Sequence, residues 1–303
     1  MGSPLWLQFG RDPADVVELT RRWADVLEEF ETSEEAMSRF RDTSEVTDLN
    51  RRAGSGAICR PSIRLRRALA AADRAYRMSS GRFDPRILGD LDRLGYRGAP
   101  LGGPEAPEHA GEPRWGDAPI VHRLGRGQLS IARPIDLGGI GKGLALRWAS
   151  DRLERRGATD FLLEAGGDIV ARGRDPEGDI WQIGIEDPTG GDDLAVVVLA
   201  DGAVATSSIQ VNRWLAAGRV MHHLVDPRTG DPADGGLLAV TVAGPDPAWA
   251  EVWSKTLFVG GGEAIADEAR SRGLAAWWVT EDERFEMTAA ARAATIWVAS
   301  EAA

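Results

Sequence analysis

Ile135-Asp136-Leu137-Gly138-Gly139-Ile140-Gly141-Lys142-Gly143 is the stretch on which the reading of this chain turns. It follows a predicted strand and opens a segment, residues 143–155, with helical spacing of its apolar residues. Glycines at such a junction let backbone approach a ligand closely, and the first amides of a helix favour an anion. Lys142 adds a compact point charge suited to a phosphate. Two familiar phosphate loops are excluded by spacing. A Walker A loop needs Gly where Asp136 stands and Ser or Thr where Gly143 stands; a dinucleotide fingerprint starting at Gly139 needs Gly at Leu144. The plainer alternative is a ligand-free strand-to-helix turn, which rarely needs four glycines and a lysine together.

That lysine is uncommon here. The chain has 303 residues and 36 basic side chains, of which only Lys142 and Lys255 are lysine. Drift of composition towards arginine explains the imbalance and makes the two surviving lysines candidates for positions where a guanidinium would not serve. The net charge of −11 gives no basic footprint for nucleic acid or for an anionic membrane. One cysteine, Cys59, excludes an internal disulfide framework and a cysteine-based metal cluster. No apolar run is long enough for a membrane span, and the first residues lack a signal-peptide pattern, so a cytoplasmic protein is expected.

Outward from the glycine stretch, the spacing predicts a strand at residues 5–9 and helices at 14–30 and 61–78. Residues 98–117 read as a variable Gly/Pro-rich loop. Short strands are expected at 120–123, 128–132, 161–163, 181–186, 194–199, 221–225, 238–243, 274–280 and 294–299. Helices at 143–155, 248–259 and 262–271 interrupt them. Mixed elements without regular βαβ alternation point to an α+β fold with mixed or antiparallel sheets packed with helices.

Other segments have plain readings of their own. Ser80-Gly81-Arg82-Phe83-Asp84-Pro85 reads as a helix exit with a surface aspartate. Ala165-Gly166-Gly167-Asp168 reads as a hairpin turn. His222 and His223 are adjacent at a strand that enters an Asp-Pro turn, and alternation sends their rings to opposite faces. Glu251 and Lys255, four apart on one helix, read as a surface ion pair worth about 0.3–0.5 kcal/mol.

Taken in order, these motifs resemble the FAD:protein FMN transferase family, also called ApbE. The resemblance runs over nearly the whole chain. It is carried by Phe40-Arg41-Asp42-Thr43-Ser44-Glu45 with Leu49-Asn50, then by Gly81-Arg82-Phe83-Asp84-Pro85 and Leu94-Gly95-Tyr96. The glycine stretch, Ala165-Gly166-Gly167-Asp168, Ala205-Thr206-Ser207, the segment 223–230, and Ala250-Glu251 with Leu257-Phe258-Val259 continue it. Membership implies a single T-fold-like domain over residues 1–303 and FAD as substrate. It also implies transfer of the FMN moiety to a Thr or Ser hydroxyl of an acceptor protein, with AMP leaving. Hydrolysis of FAD to FMN and AMP is the side activity it allows.

The resemblance also implies roles. Phe40 stacks on the flavin nucleotide; Arg82, Phe83 and Asp84 hold another part of FAD; Asp136 binds a polar edge; Lys142 meets the pyrophosphate region. His223 lies close to the phosphate under attack and is the candidate base, with Asp168 the other. A divalent cation, Mg²⁺, is implied on the Gly139 carbonyl and on an Asp and a Thr of the late helix. At the last two positions this chain has Glu251 and Lys255. Glu can bind Mg²⁺, whereas an ammonium has no lone pair and repels it. One expectation is therefore that Lys255 stands in for the metal. The alternative is a non-catalytic or weakly FAD-hydrolysing flavin-binding or cofactor-delivery protein with an altered, metal-free site.

Overall fold

The computed structural model describes residues 3–10, 16–96, 119–210, 212–216 and 218–299. The loop expected at 98–117 lies outside the described residues. In chain order the strands begin with β1 (Leu5–Phe9), β2 (His122–Gly125), β3 (Gln128–Ser130), β4 (Phe161–Ala165), β5 (Asp168–Arg172), β6 (Trp181–Ile185) and β7 (Ala195–Leu199). They continue with β8 (Gly202–Ser208), β9 (Arg213–Ala216), β10 (Arg219–His222), β11 (Leu237–Gly244), β12 (Ala275–Thr280), β13 (Phe285–Met287) and β14 (Thr295–Val298). The helices are α1 (Val16–Met37), α2 (Glu45–Arg51), α3 (Ile63–Met78), α4 (Leu88–Arg93), α5 (Gly141–Arg155), α6 (Pro247–Gly260), α7 (Gly262–Ser271) and α8 (Ala289–Ala294). The chain divides into two compact units. One comprises Ser33–Gly141 with Val211–Asp234; the other comprises Gly2–Thr32, Lys142–Gln210 and Gly235–Ala303.

The larger unit is built on a seven-stranded sheet in the order β1-β4-β5-β8-β11-β12-β13. Every pairing in it is antiparallel. The β4–β5 hairpin turns on Gly166 and Gly167, at φ +58° and +85°. That backbone matches the twist of the flanking strands and is open to glycine with least strain. β8 lies between β5 and β11, and α6 packs against both β8 and β11. α6 is buried almost all round, which its apolar composition requires. Val252, Leu257 and Phe258 each contribute roughly 1.5–3 kcal/mol through burial. Asp246 caps its first turn through the Trp249 amide. A second sheet, β14-β7-β6, shares a core with the first through Trp181, Ile183, Val197, Leu162 and Trp277.

The smaller unit is mainly helical, with two short hairpins, β2–β3 and β9–β10. Ser44 and Ser62 cap α2 and α3 through the Thr47 and Leu65 amides. α3 buries the stripe Leu65, Ala68, Leu69, Ala72 and Ala75. Its exit follows the expected pattern, with Gly81 at φ +82°. A second core joins Leu91 and Leu94 to Trp214, Ala216, Met221 and Val225. The Trp214 indole N–H donates to the Leu94 carbonyl at 2.7 Å, which satisfies a buried donor.

The α+β class and the antiparallel sheets are as expected from the sequence. Three readings are corrected. α1 continues to Met37 rather than stopping at residue 30, because Ala36 and Met37 keep the buried stripe going. The strand expected at 221–225 is β10, which starts at Arg219 and ends at His222. Asp84 is buried rather than a surface residue, because both of its oxygens accept from the Arg86 guanidinium.

Candidate functional site

In the larger unit, Lys142 stands in the first turn of α5 and Asp168 opens β5 directly after the Gly166–Gly167 turn. Lys142 Nζ is 2.9 Å from Asp168 Oδ2, with the lysine side chain 25% and the aspartate 2% exposed. The other oxygen, Oδ1, accepts from the Thr206 amide of β8 at 3.3 Å. A carboxylate this buried survives only with such partners.

Next to this pair on the same unit is Glu251 of α6, wholly inside the fold. Its Oε2 accepts from the Gly143 amide at 2.9 Å, and its Oε1 lies 3.4 Å from Lys255 Nζ. Glu251 and Lys255 are therefore not the surface pair that their spacing suggests, since their side chains are 1% and 19% exposed. Burial raises the Glu251 carboxyl above its ordinary value. The Asp168 charge acts in the same direction, against Lys255, Lys142 and the Gly143 amide. Both lysines of the chain thus serve two buried carboxylates. Gly143 has a second function: a Cβ there would meet the Ala248 Cα and the Pro247 carbonyl oxygen, each at 2.5 Å. Part of the glycine stretch therefore exists for helix packing. Below Glu251, Ser254 Oγ is 2.8 Å from Ser207 Oγ and donates to the Glu251 carbonyl, which ties α6 to β8.

In the smaller unit the glycine stretch is held by backbone-like bonds. The Asn50 amide donates to the Ile135 carbonyl at 2.8 Å and accepts from the Ile135 N–H at 2.9 Å. The Asp136 N–H donates to the Pro85 carbonyl at 2.7 Å. Asp136 Oδ1 accepts from the Gly138 amide, and Oδ2 lies 3.7 Å from Arg39 Nε. Gly139 sits between them and Ile140 in this turn, half-buried.

An aromatic group forms the other feature of that unit. Phe40 is 53% exposed and meets the Tyr96 ring edge-on at 6.3 Å. Tyr96 stacks on Trp214 at 5.3 Å and lies 5.9 Å from the half-buried His223 ring. The Arg39 guanidinium covers Phe40 at 4.4 Å and Tyr96 at 5.2 Å. His222 is buried, as alternation predicts, and its Nε2–H donates to the Ala233 carbonyl. Phe40, Asp136 and His223 thus share one unit with Arg82, Phe83 and Asp84, while Lys142, Asp168, Glu251 and Lys255 share the other. Of the expected nucleotide-binding residues, Phe83 is buried and Asp84 is occupied by Arg86. Arg39, Tyr96 and Trp214 have no role that the sequence alone assigns. Tyr96 carries a signal, as one of only two tyrosines.

The implied cation site does not fit the side chains present. One Glu251 oxygen is used by an amide and the other faces an ammonium, which cannot ligate a metal. Among the described residues no group of three or more His, Cys, Asp and Glu side chains is placed to hold a metal ion.

The fold matches solved flavin transferases. The Flavin Transferase ApbE from Vibrio cholerae superposes with a TM-score of 0.80 at 22% identity, over 97% of this chain and 96% of that one. The ApbE protein from Thermotoga maritima gives a TM-score of 0.80 at 22% identity, over 96% of this chain and 99% of that one. Identities this low define the class of fold, that of an ApbE flavin transferase. The ApbE family model matches residues 1–278, so the chain belongs to the ApbE family. Among curated relatives, the FAD:protein FMN transferase of Klebsiella pneumoniae is 30% identical over 168 residues, covering 54% of this chain and 48% of the relative. That of Escherichia coli K12 is 31% identical over 150 residues, covering 49% and 43%. In these matches the chain spans about half the length of the curated relatives. The FAD:protein FMN transferase of Haemophilus influenzae is 28% identical over 256 residues, covering 80% and 73%.

Proposed function

We propose that this chain is an FAD:protein FMN transferase, with residues 1–303 working as one ApbE-like domain. The family match runs through both compact units, and the curated relatives bear that name. The observation that carries the reading is the Lys142–Asp168 pair at the start of α5, a lysine cation fixed by a buried carboxylate where the glycine stretch becomes helix. Phosphoryl transfer depends mostly on positioning and on neutralised charge.

The acceptor is a Thr or Ser hydroxyl of a second protein, and FAD is the donor. The hydroxyl oxygen attacks the phosphorus on the FMN side of the pyrophosphate. A new O–P bond forms as the bond to the bridging oxygen breaks, and AMP departs with that oxygen. The hydroxyl proton passes to a base within hydrogen-bond reach, His223 as the first candidate and Asp168 as the other. Lys142 stabilises charge on the pyrophosphate, and Phe40 with Arg39 offers the flavin nucleotide an exposed aromatic face and a guanidinium. Arg82 and Asp136 complete the polar contacts. No helix of the described residues is long and apolar enough to cross a membrane.

The test is incubation of the pure protein with FAD and a Thr-containing acceptor protein. AMP release together with an FMN-sized mass gain on the acceptor is expected. AMP with free FMN alone identifies a hydrolase, and bound, unreacted FAD rejects the transferase reading.

A further inference from the structure

We infer that the Lys255 ammonium supplies, inside this chain, the positive charge that the family resemblance assigns to a divalent cation. Nucleotide binding by this protein then needs no divalent metal. The inference rests on the reading of the chain as an FAD-binding member of its family, and deepens it.

Four charged groups of the larger unit carry the argument. Asp168 and Glu251 are both buried, and Lys142 and Lys255 lie 2.9 and 3.4 Å from them. As it stands the cluster is neutral when all four are charged, so it calls for no further cation. With Thr at position 255 the same cluster carries a net negative charge inside the fold, the condition that draws in a metal ion. Ligand capacity points the same way. Glu251 Oε2 is held by the Gly143 amide, Oε1 faces Lys255, and an ammonium has three donors and no acceptor. A cation at Oε1 would lie against Lys255 on the side of an enclosed carboxylate, where little solvent screens the repulsion. Composition agrees, because one of the chain's two lysines stands where a metal ligand is implied although every other basic residue is arginine. The Lys255 side chain is 19% exposed, so the charge is not sealed away.

Two measurements on the intact protein test this. FAD affinity is followed by flavin fluorescence in EDTA and in Mg²⁺, and metal binding by electron paramagnetic resonance with Mn²⁺ as the probe. For the native chain, FAD affinity should change less than about twofold between EDTA and Mg²⁺, with no Mn²⁺ bound more tightly than about 0.1 mM. Lys255→Thr should weaken FAD binding about tenfold in EDTA, recover it in Mg²⁺, and bind one Mn²⁺. Lys255→Met removes the charge without offering a ligand and should stay weak under both conditions. Mn²⁺ binding by the native chain, a gain of about tenfold in its FAD affinity on adding Mg²⁺, or a Lys255→Thr variant indifferent to metal would each overturn the inference. If FAD binds under no condition, the transferase reading fails, while the Mn²⁺ results on the native and Lys255→Thr proteins still decide the question of charge.

Discussion

Lys142 and Asp168 form an asymmetric pair: the carboxylate is 2% exposed, and the lysine that reaches it, at 2.9 Å, keeps 25% of its side chain in solvent. The aspartate depends on the lysine more than the reverse. Removing the cation leaves a buried carboxylate with, among the described residues, the Thr206 amide at 3.3 Å as its donor. Breaking a fully buried pair costs about 3–5 kcal/mol, and the partial exposure of Lys142 lowers that to about 1–3 kcal/mol. Lys142→Met should therefore lower the unfolding free energy measured in urea by that amount and abolish AMP release. Lys142→Arg keeps the charge and most of the stability, but spreads it over a planar fork. AMP release by this variant should fall well below native in a single-turnover assay, whereas native activity would show that charge alone matters.

Gly143 tests what the glycine stretch is for. A methyl group there must push against the Ala248 Cα and the Pro247 carbonyl, both backbone atoms 2.5 Å away that cannot rotate aside. Gly143→Ala should destabilise by about 1–3 kcal/mol by overpacking. It should also loosen the Gly143 amide from Glu251. Gly89, the second residue of α4, leaves open space where a methyl would stand, with nothing within 4 Å. Gly89→Ala should gain about 0.5–1 kcal/mol. Urea unfolding of the two variants under one condition checks both signs.

The two glycines also show what the sequence could and could not disclose. Strand β1 and helix α7 are legible to the residue, because alternation and helical spacing are strong in Leu5–Phe9 and Gly262–Ser271. β8, in the interior of the main sheet, is not, because Gly202-Ala203-Val204-Ala205-Thr206-Ser207-Ser208 is made of small residues that leave room for α6. α2 is hidden for another reason: seven mostly polar residues, stabilised by the Ser44 cap, show no period. At the site, Lys142 stands out by rarity and Glu251 with Lys255 by position. Burial is a tertiary property, however, and spacing alone makes those two look like an ordinary solvated pair. The same limit hides Arg39 and Trp214, whose importance lies in the rings they cover.

His222 should make stability depend on pH. Burial lowers its imidazole below the ordinary value of 6.5, with Arg213 acting in the same direction against the Ala233 carbonyl and Asp234. The neutral ring donates its Nε2–H to Ala233. Between the two states, the unfolded chain takes up the proton more readily. Its contribution is therefore fully present above pH 6.5 and is lost as pH falls through the lower folded value. Urea midpoints measured from about pH 7.5 downward should fall for the native chain. In His222→Gln, which keeps a side-chain donor and cannot titrate, the fall should be shallower. Equal slopes in the two proteins would remove His222 as the source.

Loss of His223 should be felt in rate rather than in stability, because it differs from its neighbour in what encloses it. Its ring is half-buried beside Tyr96, 5.9 Å away at a tilt of 32°, and lies outside strand β10. Replacing it by Ala removes one aromatic contact of a group still held by the stacking of Tyr96 on Trp214 and by the Trp214 bond to Leu94. The aromatic contact itself is worth about 0.5–1.5 kcal/mol. Loss of a general base costs about 10²–10⁴-fold in rate. His223→Ala should therefore bind FAD with near-native affinity and release AMP at least about a hundredfold more slowly. Asp168→Asn is the matching experiment for the second candidate base. If the His223 variant keeps its rate and the Asp168 variant loses it, the proton goes to the carboxylate beside Lys142.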